Sequence, residues 1–249
     1  MVCLLLPLSL SGQTPVLKVG MELSYPPFEM TNERGEPAGV SVELAQALGR
    51  HLHRAVEIQN IAFDGLIPAL QTRKIDLIIS SMTATPERSV AIDFSEPYLK
   101  TGLCLLLPHE STAQSVAELD RAGKRIAVKK GTTGHLFAVK HLTHAQVLVL
   151  DRESAAVLEV TEGKADAFLY DQMSVFQHWQ KDRARLKAVL TPVQTESWAI
   201  GLRRQDPLKG AVNEFLAGFR REGGFEALGE KYLKTQKDAF KEQGIPFLF

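Results

Sequence analysis

From Val16 onward, short apolar runs alternate with amphipathic stretches, the pattern of strands and helices that build parallel sheets covered by helices. Residues 16–21 read as a strand. Ser24-Tyr25-Pro26-Pro27-Phe28 cannot prolong it, because each proline removes a ladder donor and fixes φ, so an aromatic-rich loop leaves the strand end. Leu44, Leu48 and Leu52 lie four apart and predict a core-facing helix over 42–52, with Ser41 available as N-cap. Residues 56–61 predict a second strand and 64–72 a short helix. The run Ile75-Asp76-Leu77-Ile78-Ile79 predicts a strand buried on both faces.

In the middle of the chain, Ser115 and Glu118 have capping-box spacing and open a helix that Gly123 closes. Strands follow at 125–128, 147–150 and 167–170, with helices predicted at about 135–142 and 154–162 between them. Late in the chain Asp206-Pro207 starts a helix lined by Leu208, Val212, Phe215 and Phe219, which Gly223-Gly224 ends before a last helix at about 225–233. Helix, turn and apolar strand recur at 66–80 and 157–171, which predicts two lobes of similar build. Apolar strands at 103–107 and 196–202 are the two places where the chain crosses between them. Two crossings make a hinge with a cleft.

Composition narrows the class. The chain has 249 residues, 45% of them hydrophobic, and 29 basic against 29 acidic side chains. This length supports two modest α/β lobes, and the balanced charge lacks the basic footprint of a nucleic-acid binder. Cys3 and Cys104 are the only cysteines, so no disulfide framework follows. Residues 1–15 hold an apolar run too short to span a bilayer, with Ser9-Leu10-Ser11 resembling a signal-peptidase site but no basic n-region; the expectation is the remnant of a signal peptide on an exported chain.

In open α/β sheets, small ligands sit beyond the carboxyl ends of the strands, so the polar residues after each apolar run are the candidates. Ser80, Ser81 and Thr83 precede Thr85-Pro86-Glu87-Arg88, a set of hydroxyls and a planar guanidinium suited to a carboxylate. The alternative for Arg88 is a surface pair with Asp93. The loop Gly131-Thr132-Thr133-Gly134 offers backbone donors or is simply a helix-entry turn. Asp171 closes an apolar strand, where it awaits an ammonium group, caps the next helix, or does both. Glu22, Tyr25 and Phe63 follow the first two strands and would wall the cleft, Phe63 having core packing as its alternative. No metal-ligand spacing occurs among the seven histidines, and no nucleophile stands beside a base, so neither metal, cofactor nor catalysis is expected.

Tyr25-Pro26-Pro27-Phe28-Glu29, Gly39-Val40-Ser41-Val42-Glu43-Leu44-Ala45, the segment from Phe63 to Leu70, that from Ser80 to Arg88, and Ile92-Asp93-Phe94-Ser95-Glu96-Pro97-Tyr98 resemble the periplasmic polar amino-acid-binding proteins of ABC importers. The resemblance implies a type II periplasmic-binding-protein fold with two hinge strands and the ligand between the lobes, lobe one at 16–104 plus 200–249 and lobe two at 105–199. It implies that Arg88 clamps the ligand α-carboxylate with help from Ser81, Thr83, Thr132 and Thr133, and that Asp171 takes the α-ammonium. Tyr25 and Phe63 match aromatic walls, and Ser80 a contact with the distal end. Glu22 replaces the aspartate of members that bind basic amino acids, so it could meet a distal cation or accept from an amide. The implied ligand is a polar, preferably basic, L-amino acid. The implied partner is an inner-membrane permease, and the implied state a periplasmic or surface-tethered monomer. Cyclohexadienyl dehydratases share this resemblance, but this chain has Ser174 where their proton-donating glutamate aligns. A sensory module on the same fold would be expected to continue into a membrane helix, and none follows in the sequence.

Overall fold

The computed structural model describes residues 16–242, 244 and 245. The signal-peptide expectation at 1–15 lies outside them. Two five-stranded sheets organise the chain. The first runs β5-β1-β6-β13-β7, with β1 (Leu17–Met21) parallel to β5 (Val56–Asn60) and β6 (Leu77–Ile78), and with β13 (Gly201–Leu202) antiparallel to β6 and β7 (Asp93–Phe94). The second runs β10-β9-β11-β8-β12, in which β9 (Arg125–Lys129), β10 (Gln146–Leu150) and β11 (Ala167–Asp171) are parallel, while β8 (Leu99–Pro108) and β12 (Leu186–Trp198) lie antiparallel. The parallel sheets expected from the sequence are therefore mixed. The antiparallel strands belong to the segments that return between the sheets.

Period-two alternation explains why both faces are covered. Leu103, Leu105 and Leu107 of β8, with Ala167 and Leu169 of β11, face one way and pack with Ala138 of α5 (Thr133–His141). Cys104, Leu106, Phe168 and Tyr170 face the other way, toward Ala156, Val157 and Val160 of α6 (Glu153–Thr161). In the first sheet Leu17, Val19 and Met21 pack with Leu44 and Leu48 of α1 (Val40–His51), while Ile78 packs with Leu66 and Leu70 of α2 (Leu66–Gln71) on the opposite face. Cys104 is a free, fully buried thiol in β8, and burial pushes its pKa up.

Several boundaries differ from the sequence reading for identifiable reasons. Helix α1 begins two residues early, with Gly39 at its cap in the left-handed region (φ 115°), where a Cβ would meet the Phe28 carbonyl oxygen at 2.4 Å. Ser41 is thus no N-cap; it lies inside the first turn and donates to Glu29 at 2.6 Å. The prolines after Tyr25 occupy the turn of a small hairpin, in which β2 (Ser24–Tyr25) pairs with β3 (Glu29–Thr31) and β3 with β4 (Pro37–Ala38). The helix expected at 64–72 opens as a 3-10 turn at Phe63–Gly65. Ser115 does cap, but α4 (Val116–Leu119) stops before Gly123. The remaining helices are α3 (Pro86–Ser89), α7 (Gln172–Lys181), α8 (Leu208–Arg221), α9 (Gly224–Tyr232) and α10 (Lys234–Glu242). The last was not expected; its Phe240 is buried edge-on against Phe176 of α7, 4.8 Å between ring centroids.

The connection between sheets is a two-stranded ribbon. β8 and β12 stay paired from Pro108 opposite Leu186 to Leu99 opposite Trp198, with an irregularity between Val189 and Gln194. Beyond Trp198 the pairing continues into the first sheet, where the Ser95 amide donates to the Ile200 carbonyl at 2.9 Å. The run 103–107, expected to cross between lobes, instead lies within the second sheet as part of β8; the chain passes between the sheets from β7 to β8 and from β12 to β13.

Candidate functional site

The strand ends of the two sheets face a common cleft. It is lined by Glu22, Tyr25, Phe63, Ser80, Ser81, Thr83, Arg88, Thr132, Thr133 and Asp171, so every residue nominated from the sequence is brought together. Each arrives for a local reason. Glu22 leaves β1 as that strand ends, and its amide donates to the Ser80 hydroxyl at 3.0 Å, tying the ends of β1 and β6. Phe63 opens the 3-10 turn and is half-buried, both lining the cleft and packing against the apolar cluster that holds Leu66, Leu70 and Ile78. Thr132 is the N-cap residue of α5, and its hydroxyl donates to the Lys129 carbonyl at 2.7 Å.

Arg88 sits in α3, where Thr85 caps by accepting the Arg88 amide at 3.2 Å and Pro86 takes the first helical position. Its side chain is buried, donating from Nη1 to the Thr83 carbonyl at 2.7 Å and from Nη2 to the Gly131 carbonyl at 3.0 Å. The guanidinium carbon lies 5.3 Å from the Phe63 ring centroid. The alternative pair with Asp93 does not form: the guanidinium is directed to the Thr83 and Gly131 carbonyls, and Asp93 accepts from the Gln205 amide. Burial lowers the Arg88 pKa to about 10, while Glu196 opposes the shift.

Asp171 combines both of its expected positions. It caps α7, accepting from the amides of Met173 and Ser174 at 3.0 and 3.1 Å, and it also lines the cavity. The Tyr25 hydroxyl donates to the same carboxylate. Burial raises the Asp171 pKa to about 7, against the lowering effect of the Tyr25 hydrogen bond.

Four cavity residues were not nominated: Glu29, Tyr170, Glu196 and Trp198. Glu29 is buried and its pKa is raised to about 8 by desolvation, although the hydroxyls of Ser41 and Ser81 hold it down. Glu196 accepts from the Thr83 hydroxyl at 3.0 Å, and burial raises its pKa too. Trp198 meets Phe28 edge-on at 4.9 Å and Tyr25 at 6.1 Å, forming an aromatic floor. A further missed residue is Lys129, only 3% exposed, whose ammonium pairs with Glu22 across the cleft. It stands directly after the apolar run of β9, so the rule used for the other strand ends would have found it. Among the described residues, no group of three or more His, Cys, Asp or Glu side chains could hold a metal ion, and no helix is long and apolar enough to cross a membrane.

This chain belongs to the bacterial extracellular solute-binding proteins, family 3, whose profile matches residues 17–235. Two curated relatives are similar over most of their length. The L-cystine-binding protein TcyJ of Escherichia coli K12 is 28% identical over 218 residues, covering 87% of this chain and 82% of that protein. The L-arginine-binding protein of Pseudomonas aeruginosa is 31% identical over 226 residues, covering 87% of each. Among solved structures, the ancestral amino acid-binding protein AncCDT-1, a precursor of cyclohexadienyl dehydratase, superposes with a TM-score of 0.80 at 32% identity, covering 87% of this chain and 94% of that one. The α/β sheets described above are thus those of a two-lobed amino-acid-binding-protein fold.

Proposed function

We propose that this protein captures a polar L-amino acid in the cleft between its lobes and delivers it to an ABC permease, working as a monomer outside the cytoplasm, in the periplasm or tethered at the cell surface. Lobe one is taken as 16–104 plus 200–249 and lobe two as 105–199. The observation that carries the reading is the convergence of a buried guanidinium, Arg88 from the first lobe, and a buried carboxylate, Asp171 from the second, on one cleft. Arg88, with Ser81, Thr83, Thr132 and Thr133, receives the α-carboxylate, and Asp171 receives the α-ammonium, exchanging its Tyr25 hydrogen bond for the ligand. Tyr25 and Phe63 flank the side chain, whose distal end reaches Ser80 and Glu22. Because the two handles belong to different lobes, a ligand stabilises the closed form by bonding both at once. A basic side chain, which the arginine-binding relative favours, is served by Glu22 only if Lys129 leaves it.

Turnover is not part of this reading. The Ser174 hydroxyl donates to Glu153 at 2.5 Å, and neither residue lines the cavity. Equilibrium dialysis with paired L- and D-amino acids, followed by mass spectrometry of the recovered ligand, tests the proposal. Retention of an L-amino acid, unchanged, is expected; equal retention of the D-enantiomer, or recovery of a converted product, overturns it.

A further inference from the structure

Asp171 is not the only carboxylate at the start of α7. Glu153, in the first turn of α6, has a side chain only 13% exposed, and the proposed capture does not use it. Its Oε1 accepts from the Ser174 hydroxyl at 2.5 Å and lies 2.8 Å from His178 Nε2, one turn further along α7. Ser174 is in turn tied to the ammonium site, because its amide donates to Asp171 at 3.1 Å. The other Glu153 oxygen, Oε2, is buried and has no hydrogen-bond partner among the described residues. Two partners on one oxygen hold the carboxylate in place but leave much of its charge uncompensated. Of the charged groups that share the hollow lined by Glu153 and His178, Arg152 and Lys181 are exposed and Glu22 is held by Lys129. On the inner side, the charge of Glu153 acts on the buried hydroxyls of Tyr25 and Tyr170 as well as on Asp171. Burial is the main cause of the raised Asp171 pKa, the Tyr25 hydrogen bond opposes it, and the charges of Glu153 and Glu196 add to the rise.

We propose that Glu153 is a positioning residue of the ammonium site: without touching the ligand, it fixes Ser174 and the start of α7, and it adds a second negative charge to that of Asp171 where the ligand α-ammonium is held. In the empty cleft the two carboxylates repel each other, and a bound ammonium relieves that repulsion. The inference rests on the assignment of the α-ammonium to Asp171 made above, and adds a group that acts on it from outside the cleft lining.

The test is the pH profile of binding. Protein stripped of ligand by unfolding and refolding is titrated calorimetrically between pH 5 and 9 with whichever of the twenty L-amino acids and cystine binds the parent most tightly. Parent affinity is expected to rise with pH through about 7, where Asp171 ionises, and then to level off. Glu153→Gln keeps the shape of the side chain and removes its charge. Its affinity at pH 8.5 is expected to be lower by at least about threefold, while the rise moves to lower pH because Asp171 ionises more readily without its neighbour. Glu153→Asp keeps the charge and is expected to leave the rise near its position in the parent. His178→Arg sets a permanent cation beside Glu153 and is expected to act in the same direction as Glu153→Gln; it decides the matter if Glu153→Gln does not fold. A purely structural role would weaken binding with the rise unmoved. That result, or an affinity within about twofold of the parent at pH 8.5, overturns the inference while leaving amino-acid capture standing. A parent that binds none of these amino acids overturns both.

Discussion

Replacement of Arg88 by alanine removes the group on which the proposed carboxylate site depends. In the structure the guanidinium is buried and spends one donor on each of two carbonyls, those of Thr83 and Gly131, leaving the rest of its planar fork for a ligand at the cavity it lines. Removing one partner of a desolvated, hydrogen-bonded charge pair costs about 2 to 5 kcal/mol, so affinity is expected to fall roughly 30- to 5,000-fold. Arg88→Lys keeps a charge but loses the bidentate fork, and is expected to fall between parent and alanine. Two carbonyls also lose a donor, at a folding cost of about 1 to 3 kcal/mol. Titration calorimetry well below the melting temperature separates the two effects, because only folded protein contributes to the measured affinity. An Arg88→Ala protein that is folded and binds within about threefold of the parent would refute the assignment of the carboxylate to this residue.

Other consequences follow from burial and close approach. Asp171 and Glu29 have folded-state pKa values of about 7 and about 8, against ordinary values of 3.8 and 4.5, so the folded chain holds protons that the unfolded chain has released. Stability of the ligand-free protein is therefore expected to fall as pH rises from about 4 to about 8, and Glu29→Gln to flatten the slope; a melting temperature that rises across this window would contradict the burial argument. Tyr25→Phe removes a hydrogen bond that lowers the Asp171 pKa, so ligand affinity, measured between pH 6 and 9, is expected to reach its plateau at higher pH than in the parent. Gly134→Ala would place a Cβ 2.2 Å from the Leu169 carbonyl oxygen, where α5 lies against β11, and is expected to cost about 1 to 3 kcal/mol by thermal denaturation. An unchanged melting temperature would show that helix and strand can separate freely there.

Much of the fold was legible because one-dimensional pattern and burial agree. The run at 103–107 reads as an apolar strand, and its alternate residues face two different helix layers. The candidate site was legible for a similar reason, since polar residues that end apolar strands have nowhere to go but the cleft. What stayed hidden depends on contacts between distant residues. Ser41 has the chemistry of an N-cap, yet Gly39 alone fits against the Phe28 carbonyl, which moves the helix start and turns Ser41 toward Glu29. Lys129 is marked by its place at the end of β9, but its pairing with Glu22 across 107 positions of sequence could not be read from either segment alone. Helix α10 has few apolar residues, and its buried Phe240 meets Phe176 of α7, a contact between segments far apart in sequence.

The central claim is capture of an amino acid without chemistry. A thermal-shift panel on ligand-stripped protein, with the twenty L-amino acids plus ornithine, citrulline, cystine, prephenate and arogenate, tests it most directly. A cognate ligand at about 100 times its Kd adds roughly 2.7 kcal/mol, which in a chain of this size raises the melting temperature by about 5 to 10 °C. The account predicts such a shift for a narrow set of polar L-amino acids. Silence across all of them, or a shift confined to prephenate or arogenate, would contradict it.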